Sequence, residues 1–172
     1  VMAIAFAAPA IAGQNFAARK ISRVYETFHI TAFLTCSLMG MLMVLCLWIP
    51  ELFVTGFSDN ANVVLVAATF LSFVGLNFVP AGYVFAISGM FQALGNTWPA
   101  LLSTFVRLSL FAVSVIYLVN QDDFYIEQIW YCSIVTVFIQ ALVSHLLIRR
   151  EFNKKLVKAP SNTPEQTCAV AK

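Results

Sequence analysis

Apolar stretches separated by short polar breaks run along the chain at residues 1–18, 28–49, 61–96, 99–119 and 126–148. Each approaches or exceeds the roughly 20 residues an α-helix needs to cross a bilayer core. The pattern predicts an all-α, polytopic transmembrane helix bundle of about five spans. The stretch 61–96 contains no charge, exceeds one crossing, and is read as a single long helix with two unlike sides. At 100° per residue Gly75, Gly82, Ala86, Gly89 and Ala93 fall within about 60° of one another, a small-residue seam where a neighbour can approach. The opposite side carries Asn77, Ala81, Ser88 and Gln92, whose amides need a partner or a wet cavity.

The breaks carry the remaining punctuation. Pro9 interrupts the first stretch and is tolerated if neighbours satisfy the carbonyl it frees. Trp48, Pro50 and Glu51 mark an interface, and a loop from Gly56 to Asn60 with Asp59 leads into 61–96. Gly95-Asn96 is a helix stop, and Pro99 suits the first turn of the next helix. Beyond residue 150 the basic cluster and APSNTPEQTCAVAK read as a disordered tail, dividing the chain into a membrane lobe (1–150) and a tail (151–172).

Composition removes the soluble classes. The 172 residues are 60% apolar and only 10% charged, with a mean hydropathy of +0.84, far from soluble usage. The chain starts at Val1 without the basic region of a signal peptide, which we read as a missing upstream part. Cys36, Cys46 and Cys132 lie in apolar runs and Cys168 in the tail, with no metal-ligand spacing, so inert thiols are expected. Net charge is +2, and its distribution matters more than its sum. Arg19, Lys20 and Arg23 fall at one end, and Arg149, Arg150, Lys154, Lys155 and Lys158 fall four spans later, hence on the same side. The opposite loops carry Glu51, Asp59, Asp122, Asp123 and Glu127 without Lys or Arg. The positive-inside rule then puts the Arg19 loop and the C-terminus in the cytoplasm of a cell-membrane protein. The basic tail could also meet anionic lipid.

Chemistry must come from polar residues in the spans. Arg107 lies eight residues past Pro99, about 12 Å along a helix, at a depth where an arginine costs about 2.5 to 3.5 kcal/mol. No acidic residue of the chain matches that depth, leaving snorkelling, structural pairing or a transport role open. Ser103, Arg107 and Ser114 share a face of the fourth span; Ser133, Thr136, Gln140 and Ser144 share one of the fifth; Thr27, Thr31 and Thr35 share one of the second. Hydroxyls are explained by bonds to their own i−4 carbonyls, whereas Asn77, Gln92 and Gln140 are candidates for a shared polar cavity. Tyr83 and the 16 phenylalanines read as packing before a substrate cage, though Tyr83 and Ser88 stay on the cavity list. His29 and His145, near span ends, are expected to be exposed. No HExxH, GxSxG or phosphate-binding glycine loop occurs, nor a pair of span carboxylates, which disfavours an enzyme.

Two stretches resemble the C-terminal half of the multidrug and toxic compound extrusion (MATE) transporters, within a superfamily that includes oligosaccharide-lipid flippases. Gly13-Gln14-Asn15-Phe16-Ala17-Ala18 resembles the family's G-Q-x-x-G-A, and Gly89 to Pro99 (GMFQALGNTWP) resembles its G-x-x-[QR]-G-x-G-[DN]-T-x-x-P hinge. Ala17 and Ala93 replace the usual glycines. The resemblance implies helices eight to twelve of a twelve-helix, two-lobe transporter that alternately opens a central cavity. It implies sodium- or proton-driven export of small organic cations or amphipathic drugs, with the missing N-terminal lobe and the lipid bilayer as partners. No metal, organic cofactor or nucleic acid is called for. Some members carry an acidic residue where Pro80 to Tyr83 align, with Ala81 at the matching position here, so the coupling ion is expected to bind mainly outside this stretch. Pro80, with Gly75, Gly82, Gly89, Gly95 and Pro99, is expected to supply hinge and packing positions. A lipid-linked sugar flippase and a structural or channel subunit without coupled transport are the alternatives.

Overall fold

A computed structural model describes residues 1–56, 60–121 and 125–157. Asp59, Asp122, Asp123, Lys158 and Cys168 of the readings above lie outside the described residues, as does the tail from 158. The described residues form seven α-helices and no strand: α1 (Met2–Ala17), α2 (Ile21–Trp48), α3 (Pro50–Val54), α4 (Ala61–Gly75), α5 (Phe78–Ala93), α6 (Trp98–Val119) and α7 (Ile126–Phe152). Helices α2, α6 and α7 are long and apolar enough to cross a membrane, and the pair α4 and α5 counts as a fourth span if taken together. Helix α1 is apolar but only 16 residues long. Around α6, Phe105, Leu108, Val113 and Ile116 point outward, a surface suited to lipid rather than water.

The stretch read as one helix is two. Helices α4 and α5 meet at 44° across Leu76-Asn77. Pro80 has no N–H to give Leu76 O, so the regular ladder cannot pass this point. Instead Leu76 N donates to Phe73 O at 3.2 Å and Asn77 N to Val74 O at 2.9 Å, which closes α4 with tight turns.

Helix α5 is the hub, packing against α1, α2, α6 and α7. The core gathers at one end, where Val24 and Phe28 of α2 meet Ile87, Met90 and Phe91 of α5 and Ile148 and Phe152 of α7. There Tyr25 and Phe28 both meet Phe152 edge-on, at 4.9 and 5.6 Å. The basic residues of 19–23 and 149–155 therefore share one end of the bundle. Helix α7 also runs past the expected end at 148 to Phe152 and continues as a π-helical turn, Asn153–Val157. The cause is apolar: Phe152 and Leu156, four residues apart, are both buried in the core.

Helices α1 and α5 end in the same way. Gly95 has φ +68°, and Asn96 N bonds back to Phe91 O at 3.0 Å; Arg19 has φ 57°, and Lys20 N bonds back to Asn15 O at 2.9 Å. This is the left-handed C-terminal turn in which glycine is favoured. Pro99 lies in the first turn of α6. The two motif stretches also touch: a Cβ on Gly13 would stand 3.6 Å from Ala93 O.

Candidate functional site

The polar side chains of the spans converge on α7. Its stripe of Thr136, Gln140 and Ser144 is buried, and partners reach it from both flanks. From the α4–α5 break, Asn77 Nδ2 donates to Ser133 Oγ at 3.3 Å, and from α5 Tyr83 Oη lies 2.6 Å from His145 Nδ1. From α6, Arg107 Nη1 donates to Gln140 Oε1 at 3.4 Å, while Gln140 Nε2 donates to Thr104 Oγ1 at 3.3 Å. These contacts make a polar column that spans about 18 Å of α7, counting from residue 133 to 145 at 1.5 Å per residue. Asn77 Oδ1 and Ser144 Oγ are buried without a hydrogen-bond partner among the described residues, which leaves the column with acceptor capacity to spare.

Most hydroxyls elsewhere satisfy themselves locally. Thr27 donates to Arg23 O, Thr35 to Thr31 O, Thr69 to Leu65 O and Ser72 to Ala68 O, at 2.8–3.0 Å. Thr136 does the same to Cys132 O at 2.9 Å.

Beside the column, a cavity of about 500 Å³ lies between α2, the α4–α5 break and α7, lined by Cys36, Leu76, Pro80, Tyr83, Ile134 and Phe138 among others. Tyr83 belongs to both: its ring faces the apolar space and its hydroxyl meets His145. Tyr83→Phe should cost about 1 kcal/mol by stranding the imidazole, read as a lower apparent melting temperature of the purified protein.

Not every candidate joins. Ser88 is half-buried and Gln92 is exposed near the basic end, so the predicted stripe of Asn77, Ser88 and Gln92 does not form one cavity wall. The 44° break falls at Leu76-Asn77, so no continuous helix carries the stripe from Asn77 to Gln92. Gln14 is exposed, and Asn15 Nδ2 donates to Ile11 O at 2.9 Å. His29 is exposed as expected, but His145 is half-buried and bonded. Its place next to Ser144, on the edge of the polar stripe, was the available signal.

Glu151 was read as part of a basic tail and is instead a buried carboxylate, 7% exposed. It accepts from Asn96 Nδ2 at 2.9 Å and pairs with Lys155 at 3.3 Å, while Lys155 Nζ donates to Leu94 O at 2.6 Å. This clamp ties the Gly95-Asn96 turn to the end of α7.

The Gly89, Gly82 and Gly75 seam faces close neighbours. A Cβ on Gly89 would lie 2.9 Å from Ala5 O; on Gly82, 2.9 Å from Met39 Cγ; on Gly75, 3.2 Å from Cys46 Cβ. Among the described residues no group of His, Cys, Asp and Glu is arranged to hold a metal ion.

Residues 1–118 match the family model described as MatE. No curated protein and no solved structure matches the chain.

Proposed function

We propose, from the premise that the chain belongs to the MatE family, that this membrane transporter exports organic cations or amphipathic drugs by sodium or proton antiport with alternating access. The observation that carries this reading is the polar column on α7, reached from α5 and α6 inside otherwise apolar spans. A multi-pass protein retains buried polar groups at that depth where they line a path or a binding site. In this reading the five stretches are the C-terminal lobe of a two-lobe transporter in the cytoplasmic membrane. The basic end lies in the cytoplasm, and the coupling ion binds mainly in the partner lobe.

The break at Leu76-Asn77 is the moving part. Pro80→Ala restores an N–H that can reach Leu76 O and adds a bond of about 1 kcal/mol to the straight form. Export should fall by about fivefold with membrane abundance unchanged; unchanged export would remove the bend from the mechanism. The reading as a whole is tested by efflux of a fluorescent cationic dye from cells making the full-length protein, with the sodium and proton gradients collapsed separately. Export that stops with one gradient names the coupling ion, and export indifferent to both sinks the antiporter. A second reading, flipping of a lipid-linked sugar, draws support from Arg107, which forms no ion pair among the described residues.

A further inference from the structure

Arg107 is half-buried in the α6–α7 interface, and its guanidinium carries five N–H donors. One of them is used, in a long 3.4 Å bond to Gln140 Oε1. The partner is held in place: Gln140 is 4% exposed, its Nε2 donates to Thr104 Oγ1, and Thr104 Oγ1 donates to Ala100 O at 3.1 Å. The ion pairs of the described residues are Arg23–Glu26 and Lys155–Glu151, both at the basic end and neither near this depth. Among the described residues, a positive, donor-rich group therefore stands inside an apolar span without an anion, next to a fixed amide. Its complement is a group with a negative charge and several oxygen acceptors, which a guanidinium binds with paired bonds.

Access is also present. A groove of about 500 Å³ runs along the start of α6, lined by Thr97, Trp98, Ala100, Leu101 and Thr104. It begins at the basic end and reaches Thr104, one turn short of Arg107. Trp98 and Leu101 offer apolar surface, and Thr104, the partner of Gln140, stands at its inner end.

We propose that Arg107, held in place by Gln140 and Thr104, forms a binding site for an anionic oxygen group, a carboxylate or a phosphate ester, on an amphipathic molecule whose apolar body lies in the α6 groove. Two sources supply that chemistry: the transported compound, or a membrane phospholipid whose phosphate is drawn inward. The substrate assignment rests on the exporter reading; the binding chemistry rests on the contacts alone. If the transported compound is the source, the substrates are amphipaths bearing a negative group, zwitterions included, rather than simple cations.

The test uses full-length protein in maltoside micelles and a matched pair of dyes: rhodamine 110, with a free carboxylate, and rhodamine 123, its methyl ester. Fluorescence polarisation should show rhodamine 110 binding about tenfold tighter or more. Arg107→Gln should abolish that preference, and Arg107→Lys should retain part of it. Dodecyl phosphate stands in for the lipid phosphate. If it binds in an Arg107-dependent manner while the dyes do not discriminate, the site is assigned to phospholipid. No dye preference together with no Arg107-dependent binding of dodecyl phosphate overturns the site. Should Arg107→Gln fail to fold, Thr104→Val, altered at an exposed position, tests the same network, with a weakened carboxylate preference expected. Absence of dye export from cells together with an intact preference would sink the exporter reading and leave the site standing.

Discussion

Gly89→Leu should abolish recovery of folded protein, and Gly89→Ala should lower the apparent melting temperature by roughly 4 to 8 °C, equivalent to about 2 kcal/mol in a chain of this size. The reason is what lies opposite. A Cβ at Gly89 would stand 2.9 Å from Ala5 O and 3.2 Å from Pro9 Cγ, a backbone carbonyl and a ring, neither able to swing aside. Pro9 has no N–H to offer Ala5 O, so the carbonyl that the proline frees is the one facing Gly89 across the interface. Close backbone approach of this kind brings Cα–H groups against a carbonyl and stabilises helix pairs that lack a hydrophobic drive in lipid. Gly82→Ala should be milder, because its closest obstacle is the flexible Met39 side chain, although Thr35 O at 3.1 Å limits the relief. Gly56→Ala, with nothing within 4 Å and no positive φ, should stay within about 0.5 kcal/mol. Thermal unfolding of the three alanine variants in detergent checks the order. A Gly89→Ala protein as stable as the Gly56→Ala one would show that α1 and α5 pack more loosely than described.

Glu151→Ala should cost about 2 kcal/mol. A carboxylate removed from a buried pair commonly costs about 3 to 5 kcal/mol, but Lys155 keeps 28% of its side-chain surface and can recover part of its hydration. The loss also strands Asn96 Nδ2, whose acceptor is Glu151 Oε1, and loosens the turn between α5 and α6. Glu151→Gln should cost about half as much, since an amide oxygen still accepts from Asn96 while the ion pair is lost. Hydrogen exchange at residues 94–97 provides a second readout: faster exchange there in Glu151→Ala, with α2 unchanged, identifies the clamp as local. Equal melting temperatures for both variants and the parent would show that the clamp contributes no stability.

Several of these features were legible in the sequence. Apolar runs bounded by charge gave α2, α6 and the start of α7, because lipid-crossing helices leave a length signal that needs no tertiary information. The glycine spacing in 75–89 marked the seam, and Gly95-Asn96 marked the turn before α6, whereas the approach of Gly13 to Ala93 had no signal in either segment alone. The break at 76–77 was harder. Pro80 signalled a bend, yet a proline in a membrane helix can be absorbed without separating two helices, and the choice depends on neighbours that periodicity does not reveal. The end of α7 was misjudged because the basic run 149–155 reads as solvated tail, while Phe152 and Leu156 are drawn into the core by Tyr25 and Phe28 from α2. Partner choice was the least legible. Gln140 was singled out by residue type, but nothing in its own segment indicates Thr104 and Arg107, and the bond between Tyr83 and His145 depends on how α5 and α7 cross.

The angle between α4 and α5 also determines how the protein meets membranes of different thickness. Laid end to end, residues 61–93 would extend about 50 Å, against a hydrocarbon core of about 30 Å. The 44° bend shortens that reach, and a span longer than the core takes up its surplus by tilting or kinking. Hydrophobic mismatch costs fractions of a kcal/mol per Å, so a bilayer a few Å thicker favours straightening at Leu76-Asn77 and a thinner one favours a sharper bend. Lipid composition thus acts on this joint as a mechanical load, without contacting a single polar side chain.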